Sequence, residues 1–259
     1  MYLYENEIPE IKMAIFYYDT EYKRATVERV LEILERNRLF PPERLCADHL
    51  TRGRMKKYTP DMRELFLQAY SEPDVLGVEW ETGREKRGEE HLFFRWNLTF
   101  YKESDHSESS YHPWNVLSFS ATYEWMRVPG RQAQLLQCVR ELCEALNAFR
   151  ADLDDVANSV DLLERAGEET RKADYIQQIY WGNYLGQHLK EQISLRQLRA
   201  MRLPNYAETE KGVFFTLTED VFDFESPVCE KIRKKVFDAA GGEAARALRK
   251  RMMQQKRGW

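Results

Sequence analysis

The sequence predicts an α+β fold in which an antiparallel sheet rich in Trp and Phe is covered by helices and followed by a C-terminal β-α-β-α extension. Two observations support this prediction. Apolar and polar residues alternate with a period of two over 76–80, 92–100 and 117–125, which is typical of strands with one buried face. Short polar links at 82–89 and 103–112 join these segments, so neighbouring strands are expected to run antiparallel.

Two further elements are predicted before these three strands. Residues 11–18 form an apolar and aromatic run that predicts a buried first strand. Residues 24–38 have the spacing of an amphipathic helix, with apolar side chains at Val27, Val30, Leu31 and Leu34. The short basic stretch at 46–57 contains no interleaved aromatic residue and predicts an exposed loop.

Local start signals place the remaining helices of the first half. Thr59 and Pro60 combine a capping residue with proline at the first helical position. Pro129 and Gly130 precede a long apolar stripe that is suited to cover the sheet. Residues 1–150 therefore predict a compact unit with the element order β-α-α-β-β-β-α.

Residues 151–242 predict a second α+β half packed on the first as one domain. Its predicted elements are a strand over 175–185, a helix over 187–201, a strand over 213–217 and a helix that begins at Ser226 and Pro227. These strands either extend the first sheet or build a smaller lobe. Gly241 and Gly242 separate this half from a basic C-terminal helix at 243–259.

Charge is distributed unevenly along the chain, although the formal net charge is only −4. Residues 231–259 contain ten Lys and Arg against two acidic residues. Two acidic tracts precede them: 151–170 holds seven acids and one Arg, and 208–225 holds six acids and one Lys. Such tracts are typical of solvated loops, but two of them around one motif favour a surface for a basic partner.

The composition excludes several classes of protein. No run of about 18 apolar residues is present and the N-terminus lacks the pattern of a signal peptide, which predicts a cytoplasmic protein that does not insert into a membrane. The five histidines are dispersed, and the four cysteines, Cys46, Cys138, Cys143 and Cys229, lack zinc-ligand spacing, so they are interpreted as apolar core residues. No metal or other cofactor is expected, and no catalytic motif is recognisable.

The least generic stretch of the chain is 176–189, where aromatic residues alternate with glycines. Tyr180, Trp181 and Tyr184 lie around Gly182 and Asn183. Large aromatic side chains beside glycine suit a contact surface for a partner. The same residues equally suit packing beneath a strand, and the frequency of buried aromatic residues favours that interpretation. Trp181 is therefore expected to be at least partly buried.

Residues 179–186, IYWGNYLG, resemble a segment of the immunity proteins of bacterial polymorphic toxin systems, including those of type VI secretion effectors. The chain is similar to the fifty-second immunity-protein family and its relatives. The resemblance implies a non-enzymatic cytosolic protein that binds and blocks one cognate toxin, often a nuclease. The sequence is compatible with a homo-oligomer. A nucleic-acid partner is not expected, because the pI of the chain is about 5.9.

The predicted partner-binding residues come from the two acidic tracts and the aromatic motif: Asp152, Asp154, Asp155, Glu168, Glu169, Tyr180, Trp181, Asn183, Tyr184, Glu219, Asp220 and Asp223. Two other functions stay open at this point. The basic C-terminal helix suits a nucleic-acid-binding module. The carboxylates at 152–155 together with Glu168 suit an undescribed metal-dependent hydrolase.

Overall fold

The computed structural model describes residues 9–18, 24–39, 44–46, 56–71, 77–87, 90–99, 115–158, 176, 178–242 and 247. The chain divides into two compact units, Met1–Ala148 and Phe149–Trp259. The predicted basic helix at 243–259 lies outside the described residues except for Ala247.

The first unit contains a six-stranded antiparallel sheet with helices, which confirms the predicted α+β class. Its strands follow the order β3-β2-β4-β5-β6-β1 and comprise β1 (Glu10–Tyr17), β2 (Arg44–Cys46), β3 (Lys56–Lys57), β4 (Gly77–Arg87), β5 (Glu90–Thr99) and β6 (Asn115–Thr122). Since β4, β5 and β6 are sequential neighbours in antiparallel pairs, the predicted meander is also confirmed. Trp96 pairs with Trp80 on one side and with Phe119 on the other.

Three boundaries in this sheet differ from the prediction. The link expected at 82–89 is mostly strand, because β4 continues pairing to Arg87 after a register shift between Thr82 and Glu85. The loop expected at 46–57 includes the last residue of β2 and all of β3, and these two strands pair with each other. The strand expected to reach residue 125 ends at Thr122, whose hydroxyl accepts a hydrogen bond from the Trp125 N–H at 3.4 Å and caps a short helix.

The described residues of the first unit contain four helices: α1 (Arg24–Arg36), α2 (Pro60–Ser71), α3 (Tyr123–Arg127) and α4 (Arg131–Ala145). The predicted stripe of α1 is buried, and α1 packs against α2 and α4. Alternate residues of β1, at Ile11, Met13, Ile15 and Tyr17, are also buried. The core of this unit therefore follows the two periodicities seen in the sequence.

The described part of the second unit has four antiparallel strands in the order β7-β8-β10-β9. Its elements are β7 (Arg150–Asp155), β8 (Gly182–Gly186), α5 (Gln187–Lys190), α6 (Leu195–Met201), β9 (Ala207–Glu208), β10 (Gly212–Thr216), a 3₁₀ turn at Val221–Asp223, and α7 (Pro227–Ala239). The predicted helix start at Ser226 is confirmed, since its hydroxyl accepts the Cys229 N–H at 3.1 Å. β7 was not predicted, and β8 begins only at Gly182.

The helix predicted over 187–201 is two helices. Leu189, Ile193 and Leu198 are all buried, so the apolar spacing is real, but the backbone turns between them. The break occurs at Ser194, whose hydroxyl accepts the Gln197 N–H at 3.4 Å and caps α6. The Ser194 side chain thus bonds its local backbone and begins α6, whereas α5 already ends at Lys190.

Gly212 is a close-approach position that provides a test of the packing between β8 and β10. A Cβ atom there would lie 2.5 Å from Tyr184 Cζ and 2.7 Å from the Leu185 carbonyl oxygen. Both neighbours are buried, so neither can move freely. We expect Gly212→Ala to lower the free energy of unfolding by about 1–3 kcal/mol, measured by urea denaturation.

Gly130 provides a contrasting control, because a Cβ atom there would meet nothing within 4 Å. Its φ of +84° is left-handed, so Gly130→Ala carries a backbone cost of about 1–2 kcal/mol without a steric one. A Gly212→Ala protein as stable as the parent would contradict the close approach of Tyr184.

Candidate functional site

Trp181, at the centre of the aromatic motif, is fixed at three points inside the second unit. Its backbone N–H donates to Asp154 Oδ2 at 2.8 Å, and its carbonyl accepts the Leu217 N–H at 2.8 Å. Its indole N–H donates to Thr218 Oγ1 at 2.8 Å. The side chain is fully buried, with 0% of its surface exposed, which confirms the prediction of burial.

Asn183 shapes the chain just before β8. Its side-chain oxygen accepts the Tyr180 N–H at 2.9 Å, and its side-chain nitrogen donates to the Tyr180 carbonyl at 2.8 Å. One amide group therefore satisfies both backbone polar groups of a buried residue that belongs to no strand. This explains why a polar residue occupies a buried position between two aromatic ones.

Arg150 neutralises the first carboxylate of the acidic tract. It forms an ion pair with Asp152 at 2.6 Å, and its guanidinium lies 5.4 Å from the centroid of the Tyr180 ring. Its Nη2 also donates to the Tyr180 hydroxyl at 3.3 Å. Burial raises the pKa of Asp152 while Arg150 opposes that rise, and burial together with the charge of Asp152 raises the pKa of Tyr180.

Asp154 is the polar centre of the second unit, with 1% of its surface exposed. One oxygen accepts hydrogen bonds from the Asp155 N–H at 2.9 Å and from Asn158 Nδ2 at 2.8 Å. The other accepts from the Trp181 N–H and lies 3.6 Å from Arg233 Nη2. Burial raises the pKa of Asp154 to about 6, and the donors around it act in the opposite direction.

Arg233 carries the balancing positive charge from α7. It is 6% exposed, donates to the Phe224 carbonyl at 3.3 Å and also pairs with Glu230. Its neighbours at helical spacing, Cys229 and Val236, are both fully buried. In the sequence, apolar residues at helical spacing on both sides of this arginine could have indicated that its charge is buried.

The expectation that the tract beginning at Ala151 forms an exposed acidic surface is wrong for its first three carboxylates. Asp154 and Asp155 are buried, and Asp152 retains 15% side-chain exposure against Arg150. The reason is that these residues belong to β7, which pairs with β8. Backbone N–H groups and two arginines form the hydrogen bonds and ion pairs with these carboxylates that water was expected to form.

The aromatic motif is likewise internal. Tyr180, Trp181, Asn183 and Tyr184 each expose 3% of their surface or less. A partner cannot contact these side chains in this conformation, so the packing interpretation holds for the motif. Glu168 and Glu169 lie outside the described residues.

The exposed part of the predicted site is the acidic turn, defined here as residues 219–225. Its four carboxylates, Glu219, Asp220, Asp223 and Glu225, are all exposed. Between them, Val221 and Phe224 are buried and anchor the turn, and Asp220 Oδ1 accepts the Phe222 N–H at 3.0 Å. The turn therefore presents negative charge from a fixed backbone.

Three of the four cysteine thiols are described by the structure and are buried, as predicted for core residues. Cys138, Cys143 and Cys229 are free thiols, and burial raises the pKa of Cys229 to about 11. Within the described ranges, no three His, Cys, Asp or Glu side chains are grouped so that they could hold a metal ion. No helix in the described part of the chain has the length and apolar character needed to cross a membrane.

These features define an α+β protein with a buried polar centre at Trp181 and Asp154 and an exposed acidic turn beside it. No protein-family model matches the chain, and no curated protein matches it significantly. Its fold is similar to a solved structure, the Pseudomonas aeruginosa T6SS protein PA0821, with a TM-score of 0.55 and 16% sequence identity. The similarity covers 89% of this chain and 74% of that one, and at this identity it shows a shared fold.

Proposed function

We propose that this chain is an immunity protein that binds and neutralises a toxin secreted by a type VI system. The IYWGNYLG segment supports this through its resemblance to immunity proteins, and the fold shared with a T6SS protein agrees with it. The observation that carries the proposal is the acidic turn, since it is an exposed, anchored surface of one charge.

The chemistry of the turn favours a basic partner. Among the described residues, Asp223 and Glu225 form no ion pair, so their charges are available to a second molecule. A toxin that cleaves nucleic acid needs a basic surface, because its substrate carries one phosphate per nucleotide. Opposite charges accelerate the encounter of two proteins, while buried contacts govern their separation.

The first test is association kinetics with the cognate toxin, which this proposal expects to be encoded beside the gene for this chain. The variant combines Glu219→Gln, Asp223→Asn and Glu225→Gln, and it retains Asp220 because that residue caps the 3₁₀ turn. We expect association at low ionic strength to slow about tenfold and to depend less on salt. Surface plasmon resonance at two salt concentrations measures both quantities.

A matched control changes the net charge equally at exposed acids elsewhere, with Glu32→Gln, Asp61→Asn and Asp238→Asn. If both triple variants slow association equally, general charge and not the acidic turn steers the encounter. A growth assay completes the test, since expression of the parent chain should rescue cells that produce the toxin. Failure of that rescue would contradict the immunity proposal itself.

The absence of enzymatic activity belongs to this proposal as an expectation. The hydrolase alternative needs Asp154 and Glu168 together in one pocket. Glu168 lies outside the described residues, and both oxygens of the Asp154 carboxylate already accept hydrogen bonds from the protein. The nucleic-acid alternative depends on residues 243–259, which lie outside the described part of the chain except for Ala247.

A further inference from the structure

We infer that the buried residues around Trp181 position the acidic turn for its partner through two tethers. The first tether runs from the Trp181 indole through Thr218 to the Asp220 carbonyl. The second runs from Asp154 through Arg233 to the Phe224 carbonyl. This inference rests on the proposed function for the role of the turn, whereas the tethers themselves are properties of the isolated chain.

The first tether holds the beginning of the turn. The Trp181 indole N–H donates to Thr218 Oγ1 at 2.8 Å, and the same hydroxyl donates to the Asp220 carbonyl at 3.0 Å. That carbonyl also accepts the Asp223 N–H at 3.1 Å, which closes the 3₁₀ turn. Because Thr218 is only 8% exposed, water has little access to replace its hydroxyl.

The second tether holds the end of the turn. Arg233 Nη2 lies 3.6 Å from Asp154 Oδ2 and donates to the Phe224 carbonyl at 3.3 Å. Both charged side chains are more than nine-tenths buried, so their positions are set by β7 and α7. Asp154 also accepts the Trp181 N–H, and the two tethers therefore meet at one residue.

Fixing both ends of a recognition turn before binding has a functional consequence. A turn that is already ordered loses less conformational entropy when a partner binds, and its charges face the partner in one arrangement. The motif at 180–184 thus contributes to recognition without touching the toxin. This reconciles its resemblance to immunity proteins with its complete burial.

Hydrogen exchange of the isolated protein tests the first tether. Thr218→Val removes the hydroxyl and keeps the shape of the side chain, whereas Thr218→Ser keeps the hydroxyl and serves as the matched control. In Thr218→Val, we expect the amides of Asp223 and Phe224 to exchange about tenfold faster, because the buried Trp181 indole N–H loses its acceptor and the Asp220 carbonyl loses one of its two donors. The amides of β8 should retain their protection, and Thr218→Ser should resemble the parent.

Each outcome decides a separate claim. Unchanged exchange at Asp223 and Phe224 in Thr218→Val, or equal acceleration in both Thr218 variants, would overturn the tether. If Thr218→Val does not fold, Arg233→Lys tests the second tether, since a lysine opposite Asp154 keeps the charge but cannot also reach Phe224. Faster exchange with unimpaired growth rescue would show that the tethers do not serve binding, and failure of the parent to rescue growth would contradict the proposed function alone.

Discussion

Replacing Trp181 by alanine will lower the free energy of unfolding by about 3–5 kcal/mol, the usual cost of truncating a packed tryptophan. The side chain is fully buried, so the substitution leaves a large cavity inside the second unit. It also removes the indole donor of Thr218. The backbone hydrogen bonds of residue 181 to Asp154 and Leu217 remain, but they do not replace the packing contacts of the lost ring.

Thermal and urea denaturation of two comparison variants separate the contribution of side-chain packing from that of the indole hydrogen bond. Trp181→Phe retains most of the packing and loses the indole N–H, so we expect a smaller loss of about 1–3 kcal/mol. Val228→Ala truncates an apolar side chain that is 62% exposed and should stay within about 0.5 kcal/mol of the parent. A Trp181→Ala protein as stable as Val228→Ala would show that the burial of Trp181 is incorrect.

The elements that sequence analysis placed well are those whose burial follows a simple period. β1, predicted over 11–18, spans Glu10–Tyr17, and β10, predicted over 213–217, spans Gly212–Thr216. The start of α7 was equally predictable, because Ser226 and Pro227 combine a cap with a first-turn proline. In each case local chemistry and long-range packing favour the same structure.

β7 could not be predicted, because its charged side chains are typical of a solvent-exposed segment. The segment RADLDD has three carboxylates in six residues, and such a charge block is typical of an exposed loop. Its burial depends on Arg150 within the strand itself, and on Arg233 and the Trp181 N–H from distant parts of the chain. The two distant partners are contributed by tertiary structure, which neither composition nor periodicity reveals.

The exposure and burial of the predicted site residues could be anticipated only in part, for the same reason. Glu219, Asp220 and Asp223 were expected on the surface and are exposed there. The aromatic motif was weighed as contact surface or as packing, and its burial agrees with packing. Thr218 and Arg233, which connect the motif to the acidic turn, were not identified, because a hydroxyl and a guanidinium gain their roles only from their neighbours in space.

Replacing Asp154 by alanine will also destabilise the protein by about 3–5 kcal/mol, the cost of breaking a buried ion pair by removing one partner. The substitution leaves Arg233 without its buried counter-ion. It also removes the acceptor of the Trp181 and Asp155 N–H groups, which are buried and cannot turn to water. Asp223→Ala makes the same change at an exposed position and should stay within about 0.5 kcal/mol of the parent.

The pH dependence of this loss gives a second measurement. Burial raises the pKa of Asp154 in the folded state to about 6, above its ordinary value of 3.8. A raised pKa means that the folded state binds the proton more tightly, so this group adds stability below pH 4 and loses that contribution as the pH rises through 6. The deficit of Asp154→Ala relative to the parent should therefore be larger at pH 5 than at pH 7. Urea denaturation at both pH values measures it, and a deficit that shrinks on acidification would show that the donors around Asp154 outweigh its burial.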